Sequence, residues 1–228
     1  MSNVIDNIVK VWTNYSHLFM QGLGVTIALS IVTVIMGSFF GFLLMLLRRS
    51  RFNIFRFRPL NFIAAAYIEI IRGTPMLLQL YFFYFLLPEL VPFLDLSKLT
   101  CCLVAMCVNS AAYVSEVFRS GIEAVDKGQT EAARSLGLDS RQTMIHIVLP
   151  QAIKNVLPAL CNEFIMMIKD TSLASTFFVG ELMSVYRTVS GILFLTIEPL
   201  IIVGIIYFIV TFVLSKFVRL LEMKLTVA

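Results

Sequence analysis

Charge is scarce in this chain. Only 14% of its 228 residues are Asp, Glu, Lys or Arg, where a water-soluble domain typically carries about 25%. With 59% hydrophobic residues, 20 Phe and a mean hydropathy of +0.90, one water-soluble core cannot hide the apolar surface. Lipid must cover much of it, so the chain is read as an integral membrane protein. Cysteine is nearly as sparse. Cys101, Cys102, Cys107 and Cys161 lie in or beside apolar runs, where they read as small buried hydrophobes without disulfide or metal-ligand spacing. His17 and His146 are too few and too far apart for a metal site. No Cys/His, Ser/His or metal-binding set converges, which argues against a membrane-embedded enzyme. There is no G-x-x-x-x-G-K-[ST] loop to cradle phosphate, so the chain is not expected to bind or hydrolyse ATP itself. A cleavable signal is not expected either, since the basic residues and small-residue cleavage site of one are missing at the N-terminus.

What is abundant is apolar run length. A crossing needs roughly 20 apolar residues. Residues 18–47 contain no charge and hold a first span, from about Gly24. A second runs from about Phe62 to Leu87, interrupted by Arg72, Gly73 and Pro75, which are expected to bend or break it. Residues 99–117 make a third. Residues 156–179 make a fourth, interrupted by "KDTS", and residues 191–215 make a fifth. The expectation is an all-α protein of about five transmembrane helices forming a single domain over 1–228, with its core at 20–220. Residues 1–16 read as an amphipathic surface helix.

An odd number of crossings puts the chain ends on opposite sides, and basic residues say which. Arg48, Arg49, Arg51, Arg56 and Arg58 lie in the first loop; Arg119, Lys127, Arg134, Arg141 and Lys154 lie in 119–155. Lys216, Arg219 and Lys224 lie in the tail, while the opposite set holds Lys10, Lys98 and Arg187. Thirteen against three places the N-terminus outside and the C-terminus in the cytoplasm.

Within the cytoplasmic segment, "EAARSLGLDSRQTMIHIVLP" (131–150) is too polar to cross a bilayer but carries clear helical punctuation. Glu131 to Leu136 are good helix formers, and Gly137 sits where a left-handed glycine ends a short helix. Asp139 or Ser140 can cap a second helix running to about Val148, which Pro150 prevents from continuing undisturbed. Ala132 and Ala133 offer a small-residue surface for close approach of another backbone. An ordinary solvated loop is the plainer reading of such a stretch.

Glu131, Ala132, Ala133, Gly137, Ile147, Leu149 and Pro150 stand at the spacing of the signature loop of bacterial ABC importer permeases, which this segment resembles. The likeness extends through "EIIRGTPMLLQL" (69–80), "NSAAYVSEVFRSGIEAVDKGQTEAARSLGL" (109–138) and "NEFIMMIKDTSLAS" (162–175). These are similar to the polar amino acid uptake subfamily of the histidine, glutamine and arginine type. The resemblance implies a multi-pass subunit of the bacterial inner membrane, paired with itself or with a similar permease. It implies a coupling-helix hairpin, within the cytoplasmic loop 119–155, seated on separate ABC ATPase subunits that bind ATP and Mg. It also implies an extracytoplasmic amino acid-binding protein that delivers cargo. Closure of the ATPase pair would tilt the spans between two states. No cofactor is expected on this chain, and no nucleic acid among its partners.

Charges inside apolar segments are costly, about 2.5 to 3.5 kcal/mol each at the bilayer centre, so Glu69, Arg72, Glu116, Glu163, Lys169, Asp170 and Glu198 must mostly face protein, water or the interface. Glu69 with Arg72, and Glu116 with Arg119, are three apart and read as structural ion pairs. Glu163 and Glu198 have no basic residue within a turn. An unpaired carboxylate there suits the ammonium group of a cargo, while protonation or pairing elsewhere is the alternative. Asn109, Ser110, Lys169, Thr171 and Ser172 are candidate donors to a cargo carboxylate. The "KDTS" break either exposes helix-end amides, a transporter device, or is a capped break near an interface. The acidic loop 88–98 is a candidate dock for the external receptor. A carrier driven by an ion gradient is the rival, but such carriers usually show internal repeats, and none is found here.

Overall fold

The computed structural model describes residues 2–49 and 58–227; the loop arginines Arg51 and Arg56 lie outside them. Among the described residues every regular element is helical. In chain order these are α1 (Ser2–Arg49), α2 (Pro59–Gly73), α3 (Met76–Leu90), α4 (Lys98–Glu123), α5 (Lys127–Ser135) and α6 (Ser140–Thr143). A π-turn (Met144–Val148) leads into α7 (Leu149–Asp170) and a 3-10 segment (Thr171–Phe177), followed by α8 (Leu182–Leu193) and α9 (Ile197–Val227). Four helices are long and apolar enough to cross a membrane, or five if the broken pair α2 and α3 counts as one span. The expected break at Gly73 and Pro75 is present: Thr74 and Pro75 are extended between the two helices.

Three expectations fail, each for a physical reason. Residues 1–16 are not a separate surface helix. No proline or cap interrupts them, and α1 runs unbroken through the charge-free stretch, with Val11 and Phe19 buried on the way. The fourth span does not begin near Val156: one apolar helical stretch extends from Ser140 to Phe177, and the change expected at "KDTS" is the end of the α-helix at Asp170, where 3-10 geometry takes over. Pro150 does not end the stretch, because the turn before it widens. The Leu149 amide reaches back five residues to the Met144 carbonyl, which makes room for the ring and its missing donor. The fifth span begins at Ile197, not Gly191. Gly191 belongs to α8, which stops at Phe194 in the left-handed region (φ 54°).

The chain packs as two compact units that interleave along the sequence. One comprises Met1–Thr33, Pro75–Cys107 and Phe164–Lys216; the other comprises Val34–Thr74, Val108–Glu163 and Phe217–Ala228. In the first, Val11, Phe19, Leu182, Val189, Ile202 and Val203 form the core, and Phe177 stacks on Tyr84 with ring centroids 4.4 Å apart. In the second, Val125, Val148 and Ala152 form a small core beneath α5 and α6. There α1 and α4 approach closely because Gly37 and Gly41 have no side chains. A Cβ at Gly37 would lie 2.5 Å from Ser110 Oγ, and one at Gly41 would lie 2.9 Å from the Ala111 carbonyl. Glycines four apart bring helix backbones together in this way in membranes.

Candidate functional site

The polar knuckle of the second unit is built by local signals. Asp126 caps α5, accepting from the Gly128 amide at 2.6 Å. At the other end Gly137 adopts φ 89°. Its amide donates to the Arg134 carbonyl at 3.1 Å, and the Leu138 amide donates to Ala133, also at 3.1 Å. That paired closure is the Schellman arrangement a C-terminal glycine permits. Asp139 then caps α6, accepting from the amides of Arg141 (2.7 Å) and Gln142 (2.8 Å), while the Asp139 amide donates to the Gln142 side chain at 2.9 Å. Every turn of the knuckle is thus closed by its own residues. Ala133 is buried, whereas Glu131, Ala132, Leu149 and Pro150 are exposed and Ile147 is half-buried. Leu136, at 82% exposure, projects from the tip. The second arm is not a short helix, as expected from sequence; it is the first turn of the long stretch that continues through α7.

The intramembrane carboxylates are each placed by a neighbour distant in sequence. Ser110 Oγ donates to Glu163 Oε1 at 2.9 Å, and both side chains are buried, as is Asn109 beside them. Glu198, in the first turn of α9, accepts from Asn7 Nδ2 at 3.1 Å. Neither carboxylate is therefore the unpaired group expected from sequence. Lys169, Thr171 and Ser172 belong to the first compact unit, with Glu198. Lys169 is exposed and Ser172 half-buried. The Thr171 hydroxyl donates to the Ile168 carbonyl at 2.7 Å. Because α7 passes directly into 3-10 geometry, "KDTS" exposes no row of helix-end amides.

The Glu69–Arg72 ion pair is absent among the described residues. Glu69 is exposed, and Arg72 Nη1 instead approaches Glu116 Oε2 at 4.0 Å, its guanidinium lying over the Tyr113 ring. Glu116 is a hub: Arg48 donates to its Oε1, and Arg119 donates to Oε2 from Nε and Nη2 at 2.8 and 2.6 Å. The i,i+3 pairing with Arg119 matches expectation; the two arginines from α1 and α2 had no local signal.

Sequence reasoning also passed over Glu181. It is fully buried at the start of α8, where its carboxylate accepts from the amides of Met183 and Ser184, each at 2.6 Å, and from Ser184 Oγ at 2.7 Å. Burial pushes its carboxyl above the usual carboxylate range despite those donors. A Glu two and three residues ahead of unpaired helix amides was the available signal.

Residues 37–227 match the family described as "Binding-protein-dependent transport system inner membrane component". The arginine transport system permease protein ArtQ of Bacillus subtilis is 38% identical over 206 residues, covering 90% of this chain and 91% of that protein. A putative glutamine transport system permease protein GlnP of Rickettsia bellii is also 38% identical, over 91% of this chain and 93% of its own length. The L-cystine permease protein TcyB of Bacillus subtilis is 36% identical, over 90% and 85%. Among solved structures, an amino acid ABC transporter crystallised with histidines matches with a TM-score of 0.87 and 38% identity, over 93% of this chain and 96% of that one. The MetNI methionine transporter, at 18% identity and a TM-score of 0.71 over 91% and 98%, shares the fold.

Proposed function

We propose, from the premise that this chain belongs to the family of inner membrane components of binding-protein-dependent transport systems, that it forms the translocation pathway of an ATP-driven amino acid importer. The relatives that cover nearly its whole length serve arginine, glutamine and cystine systems, which supports amino acids as the cargo class. None of them supports the ion-gradient carrier. ATP and Mg belong to separate ATPase subunits in this reading, cargo arrives from an extracytoplasmic binding protein, and a second permease subunit completes the pathway.

The observation that carries the coupling step is the knuckle at 127–143. A self-closed polar turn that holds Leu136 out almost entirely to solvent gives a firm, projecting contact point for a partner subunit. With the N-terminus outside and the C-terminus in the cytoplasm, as the basic residues favour, this face meets the ATPase. Force applied there would pass along α7, because its helix continues from Ser140 without a break. Glu163, which lies farther along the same helix, would then move with the knuckle and carry its buried carboxylate along the pathway of a cargo ammonium. Ser110 orients one carboxylate oxygen at 2.9 Å.

The test is a cysteine at Leu136 in membranes with active transport. A crosslink to the ATPase subunit is the expected result, and none across the transport cycle would reject the coupling assignment.

A further inference from the structure

Three guanidiniums around one carboxylate leave charge to spare. Arg48, Arg72 and Arg119 converge on Glu116, and the only other carboxylate paired with them among the described residues is Glu123, 2.5 Å from Arg119. Three positive charges face two negative ones. Arg119 is satisfied by both carboxylates, so the surplus falls on Arg48 and Arg72. Arg72 is the less occupied. Its contact with Glu116, at 4.0 Å, lies beyond hydrogen-bond reach, its guanidinium is steadied by the Tyr113 ring, and its side chain is 42% exposed. A planar fork of five N–H donors, held in place and open on one side, is suited to a tetrahedral oxyanion.

The surroundings narrow that anion to a class. Beside the cluster, α1 turns Phe42, Leu43, Leu46 and Leu47 outward, and α2 turns Ile70 outward. Exposed apolar residues flanking a cationic fork form a two-part surface, charged at one end and oily along its length. Arg49, also exposed, adds positive charge at the same end of α1.

We propose that Arg48 and Arg72 hold the phosphate of an anionic phospholipid of the cytoplasmic leaflet, with its acyl chains against the exposed apolar residues of α1 and α2. Glu116 is a positioning residue in this arrangement, since it fixes Arg48 and Arg119 without touching the lipid. Basic clusters at the cytoplasmic edge of membrane helices recognise such headgroups. The leaflet assignment rests on the orientation given above; the phosphate site does not.

The purified full chain, assembled with its ATPase, would be tested by native mass spectrometry after exchange into mixed micelles. Phosphatidylglycerol should remain bound in preference to phosphatidylcholine, and Arg72→Gln should lower its occupancy by about fivefold, as expected for one basic side chain at the headgroup. Arg72→Lys should restore part of that retention, and Arg187→Gln should leave it unchanged. Each variant is compared at equal thermal stability. Equal retention of the two lipids, or no change in Arg72→Gln, would overturn the proposal. Displacement of the lipid by millimolar inorganic phosphate would likewise reject a phospholipid in favour of a free anion.

Discussion

At the scale of single residues, the buried polar groups are explained by contacts that sequence distance conceals. Glu163 is oriented by Ser110, 53 positions away, and that separation is why the carboxylate reads as unpaired in one dimension. Glu163→Gln keeps the shape and removes the charge, so it should weaken uptake of a cationic amino acid more than of a neutral one. Competition assays in proteoliposomes would read the ratio, and equal losses would remove Glu163 from the cargo pathway. Glu181 gives a prediction of different sign. Because its folded-state carboxyl holds its proton more tightly than an exposed one, its contribution to stability is complete below the ordinary carboxylate range. That contribution is lost as pH rises through the elevated value. Thermal unfolding over a pH series should show the wild type losing stability relative to Glu181→Gln across that rise.

At the scale of elements, two kinds of signal behaved differently. The knuckle was legible because its determinants are local: a capping aspartate, a glycine with φ 89° and a reciprocal capping box all act within four residues. The end of α8 was not legible, because nothing in a phenylalanine announces the left-handed backbone that Phe194 adopts. The disturbance expected at Pro150 is present as a π-turn, but a proline rule carries no information about the helix continuing beyond it. Gly137→Asp places a side chain at φ 89°, costing about 1 kcal/mol of local stability. It should leave insertion intact while separating ATP hydrolysis from transport, measured as ATPase rate against uptake in one preparation. Glycines 37 and 41 act between elements. Gly37→Leu should cost about 1–3 kcal/mol by forcing α1 from α4, whereas Gly24→Leu, with open space around its Cβ position, should be tolerated. Unfolding of the two variants in a detergent series separates them.

At the scale of the whole molecule, composition alone assigned the membrane, and apolar run length came within one broken helix of the span count. Function at this scale predicts a strict energy requirement. Proteoliposomes holding this chain, its ATPase and its binding protein should accumulate amino acid only when ATP is supplied, and uptake by this chain alone on an ion gradient would contradict the reading. The interleaving of the two compact units has a further consequence for biosynthesis. Val11 and Phe19 emerge from the ribosome long before their core partners Ile202 and Val203. A nascent chain stopped after residue 196 would keep Leu182 and Val189 against that apolar surface but leave the part that Ile202 and Val203 cover exposed. Such a product should be short-lived in a pulse-chase experiment and a target for membrane proteolysis, while co-expression of residues 197–228 as a separate fragment should extend its half-life.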